Sequence, residues 1–420
     1  MKILHICGGS LGSGATLGAL SLHQALIKQG VESSLIFSKG DNESNAQHVS
    51  PFFNSKLARK LFDSGTKWIE PQLLKSETKR KVKDISLGLV GHPFFLKNRE
   101  IEAADIIHLH WINSRFLRIK AIQHFNKPIV WTLRDAWPYT GGCHYTNDCE
   151  NYKSGCGQCP LLHSNDPNDR TKQVIENKRK HLPDGIRYVA LSNWTAEQAR
   201  ASSLLQNQSI DTLYNSIDQN YLTPSNQSKE SACAQFNLPT DKVILLAGAA
   251  RLDSQFKGYK DILPKFPNAQ DSNIHIVTFG RISKALQAAT TAPATHLGSI
   301  TSSEALKTLY GAADIFIAPS TQEAFGKTLA EAGACGLPVI CYDTGGPKDI
   351  VLQGKTGYRI KTNCTDEFIN ATLKLAADPK TRSEMSAAAI EHTHKSFCPR
   401  LAAQKHIELY RTLLERPNDE

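Results

Sequence analysis

Glu323 and Glu331 are separated by seven residues and follow an apolar run at residues 315–318 that is typical of a buried strand. A helix is predicted to begin near residues 325–326, and the free N–H groups and the dipole at its start favour an anion. Carboxylates repel a phosphate, so we expect both glutamates to accept hydrogen bonds from hydroxyl groups on either side of it. Eight residues of helix span about 12 Å, which suits a sugar, a diphosphate and a ribose in a row.

Two basic residues follow the predicted strand at residues 243–247. Arg251 and Lys257, the latter followed by Gly258, lie in the loop beyond this strand. A guanidinium binds phosphate oxygens as a fork and an ammonium acts as a point charge, so the pair suits a diphosphate. Open α/β sheets bind ligands beyond the carboxyl ends of their strands, and the glycine pair at residues 345–346 ends a further strand at the same crevice.

A glycine-rich segment follows the first predicted strand. Residues 8–15 read GGSLGSGA and lead into a helix, where backbone can approach an anionic ligand closely. The segment is not the dinucleotide-binding pattern G-x-G-x-x-G, because Leu11 stands where a glycine is needed and no acidic residue ends the second strand. We predict that Gly9 and Gly12 contact a substrate; a tight turn without a ligand is the alternative.

Two histidines end the third predicted strand. Alternation along a strand puts His108 and His110 on one face, with His110 at the ligand end and Trp111 after it. This pattern favours a polar residue in a binding cleft, and a role in packing alone is the alternative. We expect no metal here, because no carboxylate or third histidine lies nearby in the sequence.

Four of the ten cysteines fall within 17 residues. Cys143, Cys149, Cys156 and Cys159 form the pattern C-x5-C-x6-C-x2-C in a glycine-containing loop at residues 141–160. In a reducing compartment, clustered thiols favour a tetrahedral structural zinc site, although only the last pair has the spacing of a zinc knuckle. A reduced loop without metal and a pair of labile disulfides are the alternatives.

The composition is that of a globular protein. The 420 residues are 40% hydrophobic and 21% charged, which excludes disorder of the whole chain and suggests two or three domains. No run approaches the roughly 20 apolar residues of a membrane span, and the apolar stretch after Lys2 is too short for a signal peptide. We therefore expect a cytoplasmic protein with reduced cysteines.

The net charge of +9 is concentrated in one segment. Residues 56–99 hold 11 Lys and Arg against 4 Asp and Glu. Such an excess is typical of a nucleic-acid face, an anionic membrane surface or a solvated helix. Trp68 alone provides no series of aromatic side chains on which bases could stack, so nucleic acid is not expected as a partner. We expect peripheral contact with an anionic membrane, with a solvated face as the alternative.

Strands and helices alternate in two series. Short apolar runs occur at residues 2–7, 33–37, 105–110, 129–132, 188–191 and 212–214, and again at 243–247, 274–279, 315–318, 339–342 and 358–360. Near-continuous apolar strands between helices, the first of them predicted at residues 17–29, indicate parallel sheets covered on both faces. The polar segment 223–230 is interpreted as a linker. The sequence thus predicts an α/β fold with two doubly wound domains, residues 1–216 and 217–396, and a final helix within residues 397–420 that packs back on the first.

Taken together, these residues resemble the retaining family-4 glycosyltransferases, over residues 1 to about 400. The motifs that carry the resemblance are E-x7-E at Glu323 and Glu331, the basic pair Arg251 and Lys257-Gly258, H-x-H at His108 and His110, the hinge N-G-[IV]-D at residues 215–218, which read NSID, and the late glycine pair at residues 345–346. The E-x7-E motif after a buried strand is the most specific of them.

The resemblance implies a GT-B fold, in which two Rossmann-like domains face each other across a cleft. It implies that the second domain binds a nucleoside-diphosphate sugar and the first a saccharide or lipid-linked acceptor, without a catalytic metal; the chain has no D-x-D motif. By the same resemblance, Arg251 and Lys257 hold the diphosphate, Glu331 the ribose and Glu323 the transferred sugar, and His110 lies beside the reacting centre. The donor-binding residues so implied are Gly9, Gly12, Gly280, Ala324, Phe325, Gly326, Lys327, Thr328 and Glu331.

This sequence departs from the family pattern at two places. Residues 132–135 read TLRD where the family often has T-x-H-D, so no acceptor role is carried over to Arg134, and residues 323–326 read EAFG in place of E-G-F-G. The cysteine-containing segment 137–160 resembles a subgroup in surface-polysaccharide pathways. The resemblance to the family as a whole implies a retaining, hexosyl-type glycosyltransferase. Another GT-B enzyme, such as a sugar-nucleotide epimerase or a phosphorylase, and a non-catalytic sugar-nucleotide-binding subunit are the alternatives.

Overall fold

The structure is a computed structural model that describes residues 1–10, 13–39, 49–51, 56–75, 82, 84–92, 98–113, 115–224, 227–268 and 273–415. The chain divides into two compact units. The first comprises Met1–Tyr214 with Ala402–Glu420, and the second comprises Asn215–Leu401. Each unit contains one parallel sheet with helices.

The first unit is built on a seven-stranded parallel sheet in the order β3-β2-β1-β4-β5-β6-β7. Its strands are β1 Lys2–Ser10, β2 Glu32–Lys39, β3 Val49–Pro51, β4 Ile106–Leu109, β5 Ile129–Leu133, β6 Arg187–Ala190 and β7 Ile210–Thr212. Its helices are α1 Gly14–Lys28, α2 Lys56–Thr66, α3 Ile69–Lys75, α4 Arg99–Ala103, α5 Ile119–Ile122, α6 Arg170–His181 and α7 Asn193–Ala201.

The second unit is built on a six-stranded parallel sheet in the order β10-β9-β8-β11-β12-β13. Its strands are β8 Val243–Arg251, β9 Ile274–Arg281, β10 Ala294–His296, β11 Ile315–Ala318, β12 Val339–Tyr342 and β13 Gly357–Ile360. Its helices are α8 Lys229–Gln235, α9 Tyr259–Ile262, α10 Lys284–Ala289, α11 Ser303–Ala312, α12 Lys327–Ala334, α13 Pro347–Ile350, α14 Thr365–Ala376 and α15 Pro379–Phe397. The last helix, α16 Pro399–Glu415, enters the first unit at Ala402.

The central strands are apolar throughout because both faces of each sheet are covered. All residues of β4, β5, β11 and β12 are buried. Neighbouring residues of β1 enter different cores: Leu4 packs with Trp131, whereas Ile3 packs with Leu26 of α1 and Tyr410 of α16. This is the pattern of a sheet with a hydrophobic layer on each face.

The predicted α/β fold with doubly wound parallel sheets is confirmed, and the differences lie at the periphery. The strands β3 and β10 are not predicted by the sequence; each has three residues and lies at the edge of its sheet. The segment interpreted as a linker, residues 223–230, is not irregular throughout, because Ser228 caps α8, which begins at Lys229. The cap is the Ser228 hydroxyl, which accepts from the N–H of Ser231.

Candidate functional site

In the second unit, the loops after β8, β11 and β12 are joined by backbone hydrogen bonds at the carboxyl edge of the sheet. The N–H of Thr321 donates to the carbonyl of Phe256 at 2.9 Å, and the N–H of Gly346 donates to the carbonyl of Glu323 at 2.8 Å. The loop that carries Glu323 is thereby held from both sides. Three predicted ligand-binding segments therefore form one continuous surface at the edge where open α/β sheets bind ligands.

Two glycines make this close approach possible. Gly258 and Gly345 have φ angles of +67° and +64°, which residues with a Cβ rarely adopt. A Cβ on Gly258 would lie 1.9 Å from the carbonyl oxygen of Pro319, and one on Gly345 would lie 2.5 Å from that of Glu323. Only glycine fits at either position without displacing the backbone. The two glycines therefore allow the loop of Glu323 to pack closely against the neighbouring loops.

The structure brings together two of the residues predicted to contact different parts of the donor. The ammonium of Lys257 forms an ion pair with the carboxylate of Glu323, and both side chains are about a quarter exposed. Arg251, the other predicted cation, lies at the end of β8 with its side chain 61% exposed and donates to Asp253 at 3.1 Å. Asp253 was not singled out in the sequence, where nothing marks it apart from other loop acids.

The helix α12 begins at this edge without a side-chain cap. Its N-cap, Gly326, has a φ of +99° and lacks a side chain that could bond the first-turn N–H groups. The start at Lys327 agrees with the predicted start near residues 325–326. The side chain of Phe325 is 3% exposed and packs edge-on against Phe397, so only the backbone of this residue faces the loop. The helix start has the features of an anion site.

Glu331 lies inside the same helix and is buried, with 4% of its surface exposed. Its carboxylate accepts a hydrogen bond from the Tyr310 hydroxyl at 3.2 Å and lies 3.4 Å from the ammonium of Lys327. Burial raises the pKa of Glu331, although Lys327 and Tyr310 oppose the shift. The carboxylate stands one turn inside the helix rather than two, since only residues 327–331 of the E-x7-E motif are helical. The estimate of about 12 Å assumed helix throughout, so the helical rise does not give the distance between the two glutamates.

The other residues predicted to bind the donor differ in what surrounds them. Gly280 has a φ of +97°, and a Cβ there would lie 1.7 Å from the carbonyl oxygen of Ala249, so this glycine serves the packing of β9 against β8. The carbonyl of Thr328 lies 3.5 Å from the Tyr310 hydroxyl. In the first unit, a Cβ on Gly9 would meet the Ser13 hydroxyl at 2.4 Å. Gly12 and Ala324 complete the set; Gly12 lies outside the described residues, and Ala324 lies in the turn before Gly326.

His110 lies at the end of β4 in the first unit and is 1% exposed. Its Nε2 is 2.9 Å from Nδ1 of His5, and its Nδ1 is 3.3 Å from a guanidinium nitrogen of Arg134. His108 bonds the Tyr410 hydroxyl at 2.6 Å and that of Thr132 at 2.7 Å. Burial lowers the pKa of all three histidines well below the usual value, so they are neutral.

Contrary to the expectation from the sequence, a third histidine does lie beside the H-x-H pair. Among the described residues, His5, His108 and His110 have ring nitrogens within 4.8 Å of one another. Arg134 is half-buried and donates to His110, and its guanidinium repels a second cation. The ring nitrogens of His108 are both bonded to hydroxyl groups. These contacts suit neutral, hydrogen-bonded imidazoles better than metal ligands.

A second polar cluster at this edge was missed by sequence reasoning. The carboxylate of Asp135 accepts from the indole N–H of Trp111 at 2.6 Å and lies 2.6 Å from Nδ1 of His144. The Nε2 of His144 is 2.9 Å from the Ser86 hydroxyl. Trp111 and Asp135 follow β4 and β5, but His144 comes from the cysteine-containing loop. No spacing in the sequence identifies His144 as a site residue, because its contact with Asp135 depends on how the cysteine-containing loop folds back towards β5.

The basic segment, residues 56–99, is described only in part, since residues 76–81, 83 and 93–97 lie outside the described residues. Within α2 and α3, Leu57 and Leu61 are about two-thirds exposed, and Trp68, between the two helices, is 60% exposed. Lys67 lies over the Trp68 ring at 5.2 Å. None of the helices in the described parts of the chain has the length and apolar character needed to cross a membrane.

The sequence of this chain is similar to one family model and to known glycosyltransferases. Residues 228–392 match a family model described as "Glycosyl transferases group 1". D-inositol 3-phosphate glycosyltransferase of Kribbella flavida is 40% identical over 106 residues, a quarter of this chain and a quarter of that protein. The putative colanic acid biosynthesis glycosyl transferase WcaC of Escherichia coli is 25% identical over 383 residues, 82% of this chain and 84% of that protein.

Solved structures match over nearly the whole chain. Sucrose-phosphate synthase from Thermosynechococcus elongatus aligns with a TM-score of 0.69 at 18% identity, over 98% of this chain and 99% of that one. Anabaena Alr3699/HepE, in complex with UDP and glucose, aligns with a TM-score of 0.64 at 16% identity, over 98% of this chain and 100% of that one. The chain thus has the GT-B fold, and residues 228–392 of its second unit match the model of the group 1 glycosyl transferases.

Proposed function

We propose that this protein transfers a hexosyl group from a nucleoside-diphosphate sugar to a saccharide or lipid-linked acceptor, with retention of the anomeric configuration. The observation that carries the proposal is the arrangement at the edge of the second sheet. There the pair of Lys257 and Glu323 and the uncapped start of α12 lie on loops bonded to one another, and Glu331 lies one turn into that helix. An anion site bordered by carboxylates suits a diphosphate bordered by hydroxyl-bearing groups.

In this proposal, the cations act on the leaving group. Negative charge grows on the diphosphate as the bond to the sugar breaks, so groups that bind it more tightly at that point lower the barrier. Lys257, Arg251 and the N–H groups at the start of α12 are assigned to this task. The charge of Lys257 is neutralised by Glu323 without a ligand, and the diphosphate would compete for it.

The carboxylates are assigned to hydroxyl groups. Glu323 accepts hydrogen bonds from the transferred sugar, and Glu331 accepts them from the ribose of the nucleotide. Glu331 is already held by Tyr310 and Lys327, so its oxygens are fixed before a donor arrives. A fixed acceptor loses little conformational freedom on binding, which favours affinity.

On the acceptor side, the proposal assigns His110 a place beside the reacting centre. Its neutral ring is held by His5 and Arg134, so any contact with a sugar hydroxyl is made from a fixed orientation. The cluster of Asp135, His144 and Trp111 has the composition of a sugar-binding surface, with an indole, a carboxylate and an imidazole. We assign this cluster to the acceptor.

The relatives support a biological setting for the proposed reaction. The name of WcaC, the relative with the longest matched segment among those described above, places that protein in colanic acid biosynthesis. We propose a role in surface-polysaccharide biosynthesis for this chain too, at the inner face of the cytoplasmic membrane. The exposed apolar and basic residues of α2 and α3 support peripheral attachment.

The first test is a thermal-shift screen with UDP-, GDP-, ADP- and CMP-sugars, because a donor at about 100 times its dissociation constant adds about 2.7 kcal/mol of stability. UDP-glucose is the first candidate, since HepE was solved with UDP-glucose. The donor that stabilises the protein is then incubated with and without acceptor sugars. Transfer to an acceptor with the same anomeric configuration supports the proposal. Donor conversion without an acceptor indicates an epimerase, and binding without turnover indicates a binding subunit.

A further inference from the structure

The cysteine-containing loop forms a cluster of thiols that the proposed reaction does not use. All four thiols, of Cys143, Cys149, Cys156 and Cys159, line one cavity, together with Thr140 and Tyr152. None of the four is in a disulfide. Four free thiols around one space are an unusual feature for a loop.

We propose that Cys143, Cys149, Cys156 and Cys159 bind one structural Zn²⁺ ion. Zinc in structural sites takes four ligands in a tetrahedron, and four thiolates are a common set. Binding releases the four thiol protons to solvent, and the resulting centre carries a charge of −2. This inference is independent of the proposed transferase reaction, because no cysteine of the cluster is assigned to the donor or the acceptor.

The first support is the hydrogen bonding around the sulfur atoms. The N–H of Gly141 donates to Sγ of Cys156 at 3.2 Å. Such a donor stabilises the charged form of an acceptor, here a thiolate. The backbone of the loop is held by further bonds, because the N–H of Cys156 donates to the carbonyl of Asn151 at 2.7 Å and that of Leu162 to the carbonyl of Cys159 at 3.1 Å.

The second support is charge balance. Lys178 of α6 is completely buried and donates to the carbonyls of Trp137 and Thr140, with its ammonium 3.8 Å from the centre of the Trp137 ring. Carbonyls carry no net charge, and a buried cation is costly without a compensating anion. Thr140, whose carbonyl accepts from Lys178, lines the same cavity as the four cysteines. A tetrathiolate zinc centre supplies the missing negative charge.

The backbone around Cys156, the third cysteine of the cluster, has an unusual conformation. Residues 155–158 have φ angles of +102°, +60°, +94° and +47° in succession, and two of these residues, Cys156 and Gln158, are not glycines. A Cβ on Gly157 would lie 2.2 Å from the carbonyl oxygen of Pro167. Left-handed conformations persist when the surroundings determine them, and they are concentrated at sites that clamp a ligand.

The four sulfur atoms line one cavity, but they lie farther apart than the sulfur ligands of a zinc site. Sulfurs of a tetrahedral zinc site with bonds of about 2.3 Å lie about 3.8 Å apart. Among the described residues, no three of the four sulfurs lie within 4.8 Å of one another. Rotation of cysteine side chains about the Cα–Cβ bond, without movement of the backbone, changes the distance between sulfurs. We infer that the metal draws the thiolates inward.

A metal ion at this site would also affect the cluster of Asp135, His144 and Trp111 that we assign to the acceptor. His144 directly follows Cys143 and bonds Asp135 at 2.6 Å, and its carbonyl accepts from the N–H of Ala136 at 3.1 Å. A metal bond at Cys143 fixes the backbone from which the His144 side chain projects. The zinc ion would therefore hold the imidazole of His144 on the carboxylate of Asp135.

The test measures metal in the full-length protein, purified under reducing conditions without chelator. Elemental analysis should give about one zinc per chain, and replacement by Co²⁺ should give the visible d–d bands and thiolate charge-transfer bands of a tetrahedral sulfur site. The variants Cys149→Ser and Cys156→Ser should lose the zinc. The matched control, Cys398→Ser, changes a partly exposed cysteine at the end of α15 and should retain it.

Four results would overturn the proposal. One is less than about a tenth of a zinc per chain in protein whose four loop thiols react with an alkylating reagent. The second is intact-mass evidence of disulfides among these cysteines in protein handled without oxidant. The third is one iron per chain in place of zinc. Loss of zinc from Cys398→Ser to the same extent as from Cys149→Ser would also contradict it, because the metal would then not depend on this loop.

Discussion

The ammonium of Lys257 and the carboxylate of Glu323 form an ion pair between the loops that follow β8 and β11. The two residues are 66 positions apart in the sequence. The pair lies beside the backbone bond from Thr321 to Phe256, so charge and backbone tie the same loops together. In the proposed reaction, the pair provides a cation and a hydrogen-bond acceptor at the place where a donor would meet both.

The first prediction concerns Lys257. The substitution Lys257→Ala should lower kcat about 100-fold or more, because it removes a cation from the leaving diphosphate, where charge grows in the transition state. The matched control is Lys260→Ala, which removes an exposed lysine from α9 three residues away. Steady-state kinetics with varied donor distinguish the two variants. An effect confined to KM, with kcat unchanged, would contradict the assignment, because it would mean uniform binding.

The second prediction concerns Glu331, assigned to the ribose. Glu331→Gln should raise the donor KM more than it lowers kcat, because the ribose is remote from the bond that breaks. Glutamine is the suitable variant, since Glu331 is buried against Tyr310 and Lys327 and a truncation to alanine would also remove packing. Donor kinetics equal to those of the parent would refute the E-x7-E assignment.

The same variant has a pH signature in stability. Burial raises the pKa of Glu331 in the folded protein above the unfolded value of about 4.3. The folded state therefore binds this proton more tightly, and the contribution of Glu331 to stability is largest below the unfolded pKa and falls as the pH rises through the folded pKa. Glu331→Gln, which mimics the protonated acid, should gain stability relative to the parent as the pH rises. Denaturant unfolding of both proteins across this range provides the measurement.

The second sheet and its ligand edge could be predicted because their signals are local. The runs at residues 315–318 and 339–342 coincide with β11 and β12, and the start of α12 follows from Gly326 and the residues after it. Each signal is contained in about ten residues of sequence. The strands β3 and β10 were missed because edge strands of three residues need no continuous apolar run; all three residues of β10 are half-buried.

The contacts between distant residues could not be predicted. His5 and His110 are 105 positions apart, and they meet because β1 and β4 are neighbours in the sheet, with Ile6 opposite Leu109. Strand order is not encoded in the pattern of either strand alone. Arg134 reaches His110 beside Gly18, where a Cβ would lie 2.2 Å from the guanidinium, so even the choice of glycine in α1 depends on this long-range packing.

The third prediction is that acid destabilises the first unit. Burial lowers the pKa of His5, His108 and His110 well below 6.5, and that of His406 to about 4, and Arg134 adds repulsion. The unfolded chain takes up protons below about pH 6.5 while the folded protein does not, so stability is present above this pH and is lost as the pH falls. Each histidine should contribute a slope of about 1.4 kcal/mol per pH unit.

Unfolding by guanidinium at about pH 7.5 and about pH 5 measures how the free energy of unfolding changes with pH. His406→Phe, which keeps a ring beside His108 but cannot take a proton, should reduce this change. The control His124→Gln changes an exposed histidine and should leave it as in the parent. Equal stability of the parent at the two pH values would contradict the neutral, buried histidine cluster.

The last prediction concerns the exposed surface of α2 and α3. Leu57, Leu61 and Trp68 are about two-thirds exposed, with Lys60 and Lys67 beside them. A basic residue near an anionic bilayer contributes about 1 kcal/mol, and apolar side chains add contact with the acyl boundary. The protein should therefore float with vesicles containing phosphatidylglycerol, and much less with vesicles of phosphatidylcholine alone.

Two variants identify the surface that makes this contact. The double variant Leu61→Ser with Trp68→Ser should lose most of the flotation, whereas Leu414→Ser, at a 43% exposed leucine of α16, should not. Raising the salt concentration should weaken binding of the parent, because exposed charges are screened over the Debye length, about 10 Å at 0.1 M. The donor kinetics of the double variant should match those of the parent, since neither residue lies in the second unit. If the parent floats equally with both kinds of vesicle, the basic segment makes no specific contact with anionic lipid and is a solvated face.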